Sequence, residues 1–190
     1  MVGAALGAAY VLLAIRQVPW CWPIGIGNAL LFLVAYVNAR IYGAAGLQVV
    51  YVAVSVYGWH QWLHGGAGHG RLEVSRTQPS WAVALGVSGI LASLLLGLAL
   101  KHRTNDVLPF VDAAVTVFSL VAQWMATRKW LENWLVWMVL NVANFAICVS
   151  QRLYPMSALY AFFLVLAFFG YREWHRSLRA GAGVAPAATA

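Results

Sequence analysis

The sequence predicts an all-α integral membrane protein of seven spanning helices, set out as three helices, a linker helix and three more. Three observations carry this. The 190 residues are 63% hydrophobic and only 9% charged, against roughly 45–50% and about 25% in soluble domains. The chain divides into seven apolar stretches separated by charge or turn residues. It also matches itself at a single offset. A soluble protein of this length could not keep so much apolar surface from water, whereas a bilayer accepts it, at about 20 apolar residues per span.

In chain order the stretches are 2–16, 24–37, 43–63, 81–100, 109–127, 133–150 and 153–175. Pro19 and Pro23 break the first from the second, Arg40 the second from the third, and the glycine-rich run 65–70 the third from the fourth. Segment 101–106, residues 128–132 and Arg152 supply the later breaks. The tail 181–190 is Ala and Gly with one Pro and reads as disordered. Together the spans leave one transmembrane domain, 1–180, with no room for a catalytic domain.

Shifting the chain by 112 residues aligns Arg16 with Arg128, Trp22 with Trp134, Val37 with Val149 and Arg40 with Arg152. The same shift aligns Tyr42 with Tyr154, Leu47 with Leu159, Gly58 with Gly170 and Trp62 with Trp174. Trp, Arg, Tyr and Gly recur at helix ends, where composition alone would favour Ala, Leu and Val. An odd number of helices between two triplets gives both the same orientation, so the repeats are parallel and share an axis along the membrane normal. Bundles of this kind hold solute near the midplane between the repeats, which points to transport.

The net charge of +7 comes from 12 scattered Lys and Arg. No dense basic patch reads as a nucleic-acid surface. Seven spans put Arg40, Lys101, Arg103 and Arg152 on one side, and Arg16, Arg71, Arg76, Arg128, Lys129, Arg172, Arg176 and Arg179 on the other. The side richer in basic residues faces the cytoplasm, giving an outside N-terminus, a cytoplasmic C-terminus and residence in the inner membrane. Trp22, Trp62, Trp134 and Trp174, near helix ends, are expected to be interface anchors.

Polar side chains at membrane depth mark function. Asp112, Thr116, Ser119 and Gln123 share one face of the fifth helix, and Trp134, Trp137, Asn141 and Asn144 one face of the sixth. Gln48, Tyr51, Ser55, Trp59 and Trp62 form a stripe on the third. Converging amides, hydroxyls and indoles describe a cavity for a flat heterocycle, whose rings can be sandwiched and whose hydroxyls can be matched. The five histidines fall at expected helix ends or in loops and are not expected to hold a metal, and two cysteines in different halves make no disulfide framework. With no phosphate-cradling glycine loop and no nucleophile–base pair, the chain reads as neither an enzyme nor an ATP-driven pump. No cofactor is expected.

The stretches YGWHQW (Tyr57 to Trp62), RKWLENW (Arg128 to Trp134) and GYREW (Gly170 to Trp174), with Trp22 and Pro23 opening the second helix, resemble the PnuC family of nicotinamide riboside transporters. The resemblance runs from about Trp20 to His175. It implies a fold similar to the SWEET sugar transporters and facilitated diffusion of a vitamin precursor, made one-way by a separate cytoplasmic kinase that phosphorylates the solute. It also implies a ligand held among helices three, five, six and seven. On the stripes above, the candidate substrate-binding residues are Gln48, Trp59, Thr116, Gln123, Trp137, Asn141, Asn144 and Tyr171. Relatives carry thiamine or riboflavin instead. Asn141 stands where an acidic residue is expected in many members, which removes a counter-ion for a cationic ring and keeps those solutes open. A proton-coupled transporter using Asp112 is the other alternative. A homo-oligomer is compatible with this reading.

Overall fold

The structure, a computed structural model, describes residues 2–104 and 107–182. Among them lie seven α-helices: α1 (Val2–Ile15), α2 (Cys21–Asn38), α3 (Tyr42–His64), α4 (Pro79–Arg103), α5 (Pro109–Thr127), α6 (Asn133–Ser150) and α7 (Tyr154–Ala182). A single 3-10 turn, Ala67–His69, lies between α3 and α4. Five helices are long and apolar enough to cross a membrane by length and composition, namely α2, α4, α5, α6 and α7. At 14 residues α1 is shorter, and α3, though 23 residues long, carries Gln48, Ser55, His60 and Gln61. Large apolar side chains such as Val34, Val83, Leu95 and Val139 are more than 60% exposed, which is the surface a lipid solvent covers.

The helix ends differ from the sequence reading where caps decide. Cys21 rather than residue 24 opens α2, because Pro23 sits in the first turn, where its missing N–H costs nothing. Pro79 plays that part at α4. The last helix runs past 175 to Ala182, through Arg176, Leu178 and Arg179, good helix formers, with Arg176 reaching Glu173 at 3.7 Å. Residues 181 and 182 of the expected tail are therefore helical, and its remainder lies outside the described residues.

The 112-residue offset reappears in the backbone. Gln17 and Lys129 have φ 56° and 50°, and Arg40 and Arg152 both have φ 59°. Each is a left-handed residue closing a helix, followed by the long-reach bond of a Schellman cap. Val18 donates to Leu13, Trp130 to Met125, Ile41 to Tyr36 and Leu153 to Cys148, at 3.0, 3.1, 2.9 and 2.8 Å. Helix contacts follow the same rule. As α2 packs on α3, α6 packs on α7; as α1 packs on α2, α5 packs on α6; as α3 meets α5, α7 meets α1. The fourth helix packs on α5, where Gly89 and Gly97 admit the rings of Phe118 and Phe110.

The four tryptophans expected at the membrane interface are instead the centre of the core. Trp22, Trp62, Trp134 and Trp174 are 0%, 1%, 4% and 1% exposed. Trp22 meets Trp62 edge-on at 5.4 Å and 90°, Trp134 meets Trp174 at 5.3 Å and 89°, and Trp62 touches Trp174 at 5.8 Å. Trp62 Nε1 donates to the Ala126 carbonyl at 2.9 Å, and Trp174 Nε1 to the Ala14 carbonyl at 3.0 Å. These two bonds are counterparts at the offset of 112. Trp22 and Trp134 lie against Gly58 and Gly170, where no larger side chain fits.

A strap explains why these helix ends are buried. Between α3 and α4, Ser75 exchanges backbone bonds with the α5–α6 turn, its N–H to Lys129 O at 3.1 Å and its carbonyl from Leu131 N at 2.9 Å. Thr77 binds Glu132 Oε2 through both its N–H and its hydroxyl at 2.8 Å. Val74 thereby joins the tryptophan core. Cys21 and Cys148 are both buried and free.

Candidate functional site

A cavity of about 260 Å3 lies between α1, α5, α6 and α7. Its walls are mostly aromatic: Tyr10, Trp62, Trp134, Trp137, Tyr160, Phe163 and Trp174, with the amides of Gln123, Asn133 and Asn141 among them. Of the residues expected from sequence, Gln123, Trp137 and Asn141 are brought together here. Gln123 is 6% exposed, and its Nε2 donates to the Tyr10 hydroxyl at 3.1 Å. Asn141 Nδ2 donates to its own helix at Trp137 O, 2.8 Å, and its side-chain oxygen is an acceptor only. Asn133 Nδ2 is tied to the Trp130 carbonyl.

Gln48 lines a neighbouring cavity with Tyr51 and Ser55. Trp59 lies apart, 37% exposed, in a groove at the basic end with Trp20, Arg16 and Arg71. Thr116 is half-buried and its carbonyl accepts from Ser119 Oγ at 2.8 Å. Asn144 spends its Nδ2 on Leu140 O at 2.9 Å. Tyr171 packs against the tryptophan core and stacks on His175. None of Trp59, Thr116, Asn144 and Tyr171 lines either of these two cavities. The sequence reading missed Tyr10, Asn133, Tyr160 and Phe163. The self-match held the signal for two of them, because Tyr160 and Phe163 are the counterparts of Gln48 and Tyr51.

Charge is kept at the ends. None of the described carboxylates lines either cavity, and Asp112 is exposed in the first turn of α5. The nearest cation to the tryptophan layer is Lys129, 4% exposed, with its Nζ 4.6 Å from the Trp62 ring centre. It donates to Leu72 O at 2.8 Å and to Gln17 Oε1 at 3.4 Å. Burial disfavours its charged form and pushes its pKa down to about 8. The arrangement suits an uncharged or delocalised flat ring held by stacking, with amides to match its polar edge.

A family model described as nicotinamide mononucleotide transporter matches residues 1–176. The nicotinamide riboside transporter PnuC of Escherichia coli (strain K12) is 29% identical over 180 residues, covering 82% of this chain and 75% of that protein. The riboflavin/roseoflavin transporter RibM of Streptomyces davaonensis is 29% identical over 179 residues, covering 92% and 83%. The crystal structure of the vitamin B3 transporter PnuC superposes with a TM-score of 0.73 at 19% identity, over 94% of this chain and 81% of that one, and shares its fold.

Proposed function

This chain belongs to the nicotinamide mononucleotide transporter family, and from that premise we propose that it takes up nicotinamide riboside across the inner membrane by facilitated diffusion. The observation that carries the reading is the aromatic cavity with Gln123 and Asn141 in its wall. Stacking holds a flat ring, and ring faces also attract a pyridinium cation without a carboxylate. Diffusion alone has no direction. Phosphorylation by a separate cytoplasmic kinase supplies it, because a phosphorylated solute no longer fits an uncharged cavity. The architecture fits a 3+1+3 arrangement of parallel repeats, SWEET-like, supported by caps, contacts and indole bonds that recur at 112 residues.

Riboflavin is the second reading, favoured by one observation. The cavity lacks a carboxylate among its described lining, which suits a neutral ring better than a pyridinium or the thiazolium of thiamine. Proton coupling through Asp112 has less support, since that residue is exposed and lines neither cavity.

The test is uptake of labelled nicotinamide riboside, riboflavin and thiamine into liposomes holding the purified protein. Saturable entry that stops at equal concentrations, with or without a pH gradient, is expected, and accumulation only when kinase and ATP are enclosed. Accumulation driven by the pH gradient would replace diffusion with proton coupling, and entry of none of the three would remove this solute class. The orientation is proposed from eight basic residues against four. An impermeant thiol reagent added outside cells should label a cysteine at position 103 and leave one at position 71 untouched, and the opposite pattern would invert the topology.

A further inference from the structure

The second cavity, about 250 Å3, shares Gly7, Tyr10 and Gln123 with the first. Five of its residues are the counterparts, 112 positions earlier, of five in the first. Gly25 answers to Trp137, Ala29 to Asn141, Gln48 to Tyr160, Tyr51 to Phe163 and Ser55 to Ala167. The two cavities are thus the same space in the two halves, furnished differently. Where the second half has a tyrosine, a phenylalanine and an alanine, the first half has Gln48, Tyr51 and Ser55, an amide and two hydroxyls. Where the second half has Trp137, the first half has Gly25, against which the Tyr10 ring packs so closely that a Cβ would stand 3.0 Å from it.

Two further features mark the polar space as built to receive hydrogen bonds. The Tyr51 hydroxyl and Ser119 Oγ share a bond of 2.6 Å across α3 and α5, which fixes the tyrosine at the wall. Asn28, which lines this cavity, has a fully buried Oδ1 with no hydrogen-bond partner. An orphaned buried acceptor is costly unless something donates to it, and a water or a solute hydroxyl can supply that donor. The wall between the spaces is thin: the Gln123 Nε2 to Tyr10 hydroxyl bond, 3.1 Å, between residues that line both.

We propose that the two cavities are lobes of one solute chamber, the aromatic lobe taking the flat ring and the polar lobe taking a polyhydroxylated tail, with the Tyr10–Gln123 pair as the movable partition between them. The inference rests on the uptake reading and sharpens it. The solute is a heterocycle carrying a ribosyl or ribityl group, and Gln48, Ser55 and Asn28 select for that group. Tyr10 and Gln123 must part their bond for the link between ring and tail to pass.

The test compares each solute with its own ring. Affinities of the purified full chain in detergent are measured for nicotinamide riboside against 1-methylnicotinamide, which keeps the pyridinium charge and lacks the ribosyl group, and for riboflavin against lumiflavin, which lacks the ribityl chain. The parent is expected to prefer the tailed member of at least one pair by tenfold or more. In Gln48→Leu and in Asn28→Leu that preference should fall about 2- to 13-fold per variant, at one neutral hydrogen bond each, while the bare ring binds as before. Ser55→Ala, the mildest change, guards against misfolding and should narrow the preference in the same direction. In Trp137→Ala both members should weaken together with the preference kept. Unchanged preference in all three polar variants, each melting near the parent temperature, would make the second cavity a packing void and overturn the proposal alone. If neither tailed solute binds the parent, the uptake reading fails and this one fails with it.

Discussion

Gly170→Ala is expected to destabilise the protein by roughly 1–3 kcal/mol, and Gly58→Ala by a similar amount, because each methyl overfills a packed core. A Cβ at position 170 would stand 2.6 Å from three carbons of the Trp134 ring, and one at 58 would stand 2.5 Å from Trp22. Neither ring has space to retreat. Trp22 is fully buried between Tyr10 and Trp62, and Trp134 is braced edge-on by Trp174. Gly46, equally helical but with nothing within 4 Å of its would-be Cβ, is the control. Alanine there should be neutral or stabilise by up to about 1 kcal/mol, through helix propensity. Thermal melting in detergent reads all three. A Gly170→Ala protein that melts with the parent would mean that the indole does not lie where it is described.

Trp137→Ala should weaken solute binding by about 1–3 kcal/mol, the usual worth of one ring stacked on an aromatic side chain, or roughly 5- to 150-fold in affinity. Asn141→Leu should cost less, about 0.5–1.5 kcal/mol for one neutral hydrogen bond. Both side chains line the aromatic cavity, whereas Val139 on the same helix is 69% exposed toward lipid. Val139→Ala is therefore expected to bind as the parent does. A titration in which all three variants match the parent would reduce Trp137 and Asn141 to helix packing and remove the cavity from the mechanism.

The spans and their register were legible because they depend on local chemistry. Arg40, Arg152 and the prolines mark helix ends whatever the rest of the chain does. The match of Gly58 with Gly170 and Trp22 with Trp134 reflects one contact made twice. Depth was not legible. A tryptophan near a helix end faces headgroups or protein according to what covers that end, and here the cover is the Leu72–Thr77 strap, which comes from a stretch without periodicity. The helix-three stripe divides for a related reason. Gln48 and Trp59 share a face, but eleven residues separate them, about 16 Å along the axis. One therefore lines a cavity while the other reaches the surface. Asn144 lies past the cavity along α6 and Thr116 past it along α5, whereas Tyr171, between Ala167 and Trp174 of the lining, packs on the tryptophan core and stacks on His175. Spacing identifies a face, and only packing shows how much of that face meets the cavity. Tyr10 was invisible because its partner, Gln123, is 113 residues away.

The reciprocal bonds of Trp62 to Ala126 and Trp174 to Ala14 bear on how the two halves can move. Each half supplies one donor and one acceptor, so the joint has two teeth. A rotation of one half against the other loads both teeth together. It cannot release one and keep the other as a pivot, and the Trp62–Trp174 contact between the halves must yield at the same moment. The joint is built more like a snap fastener than a hinge, since packed interfaces tend to have discrete arrangements rather than a continuous range.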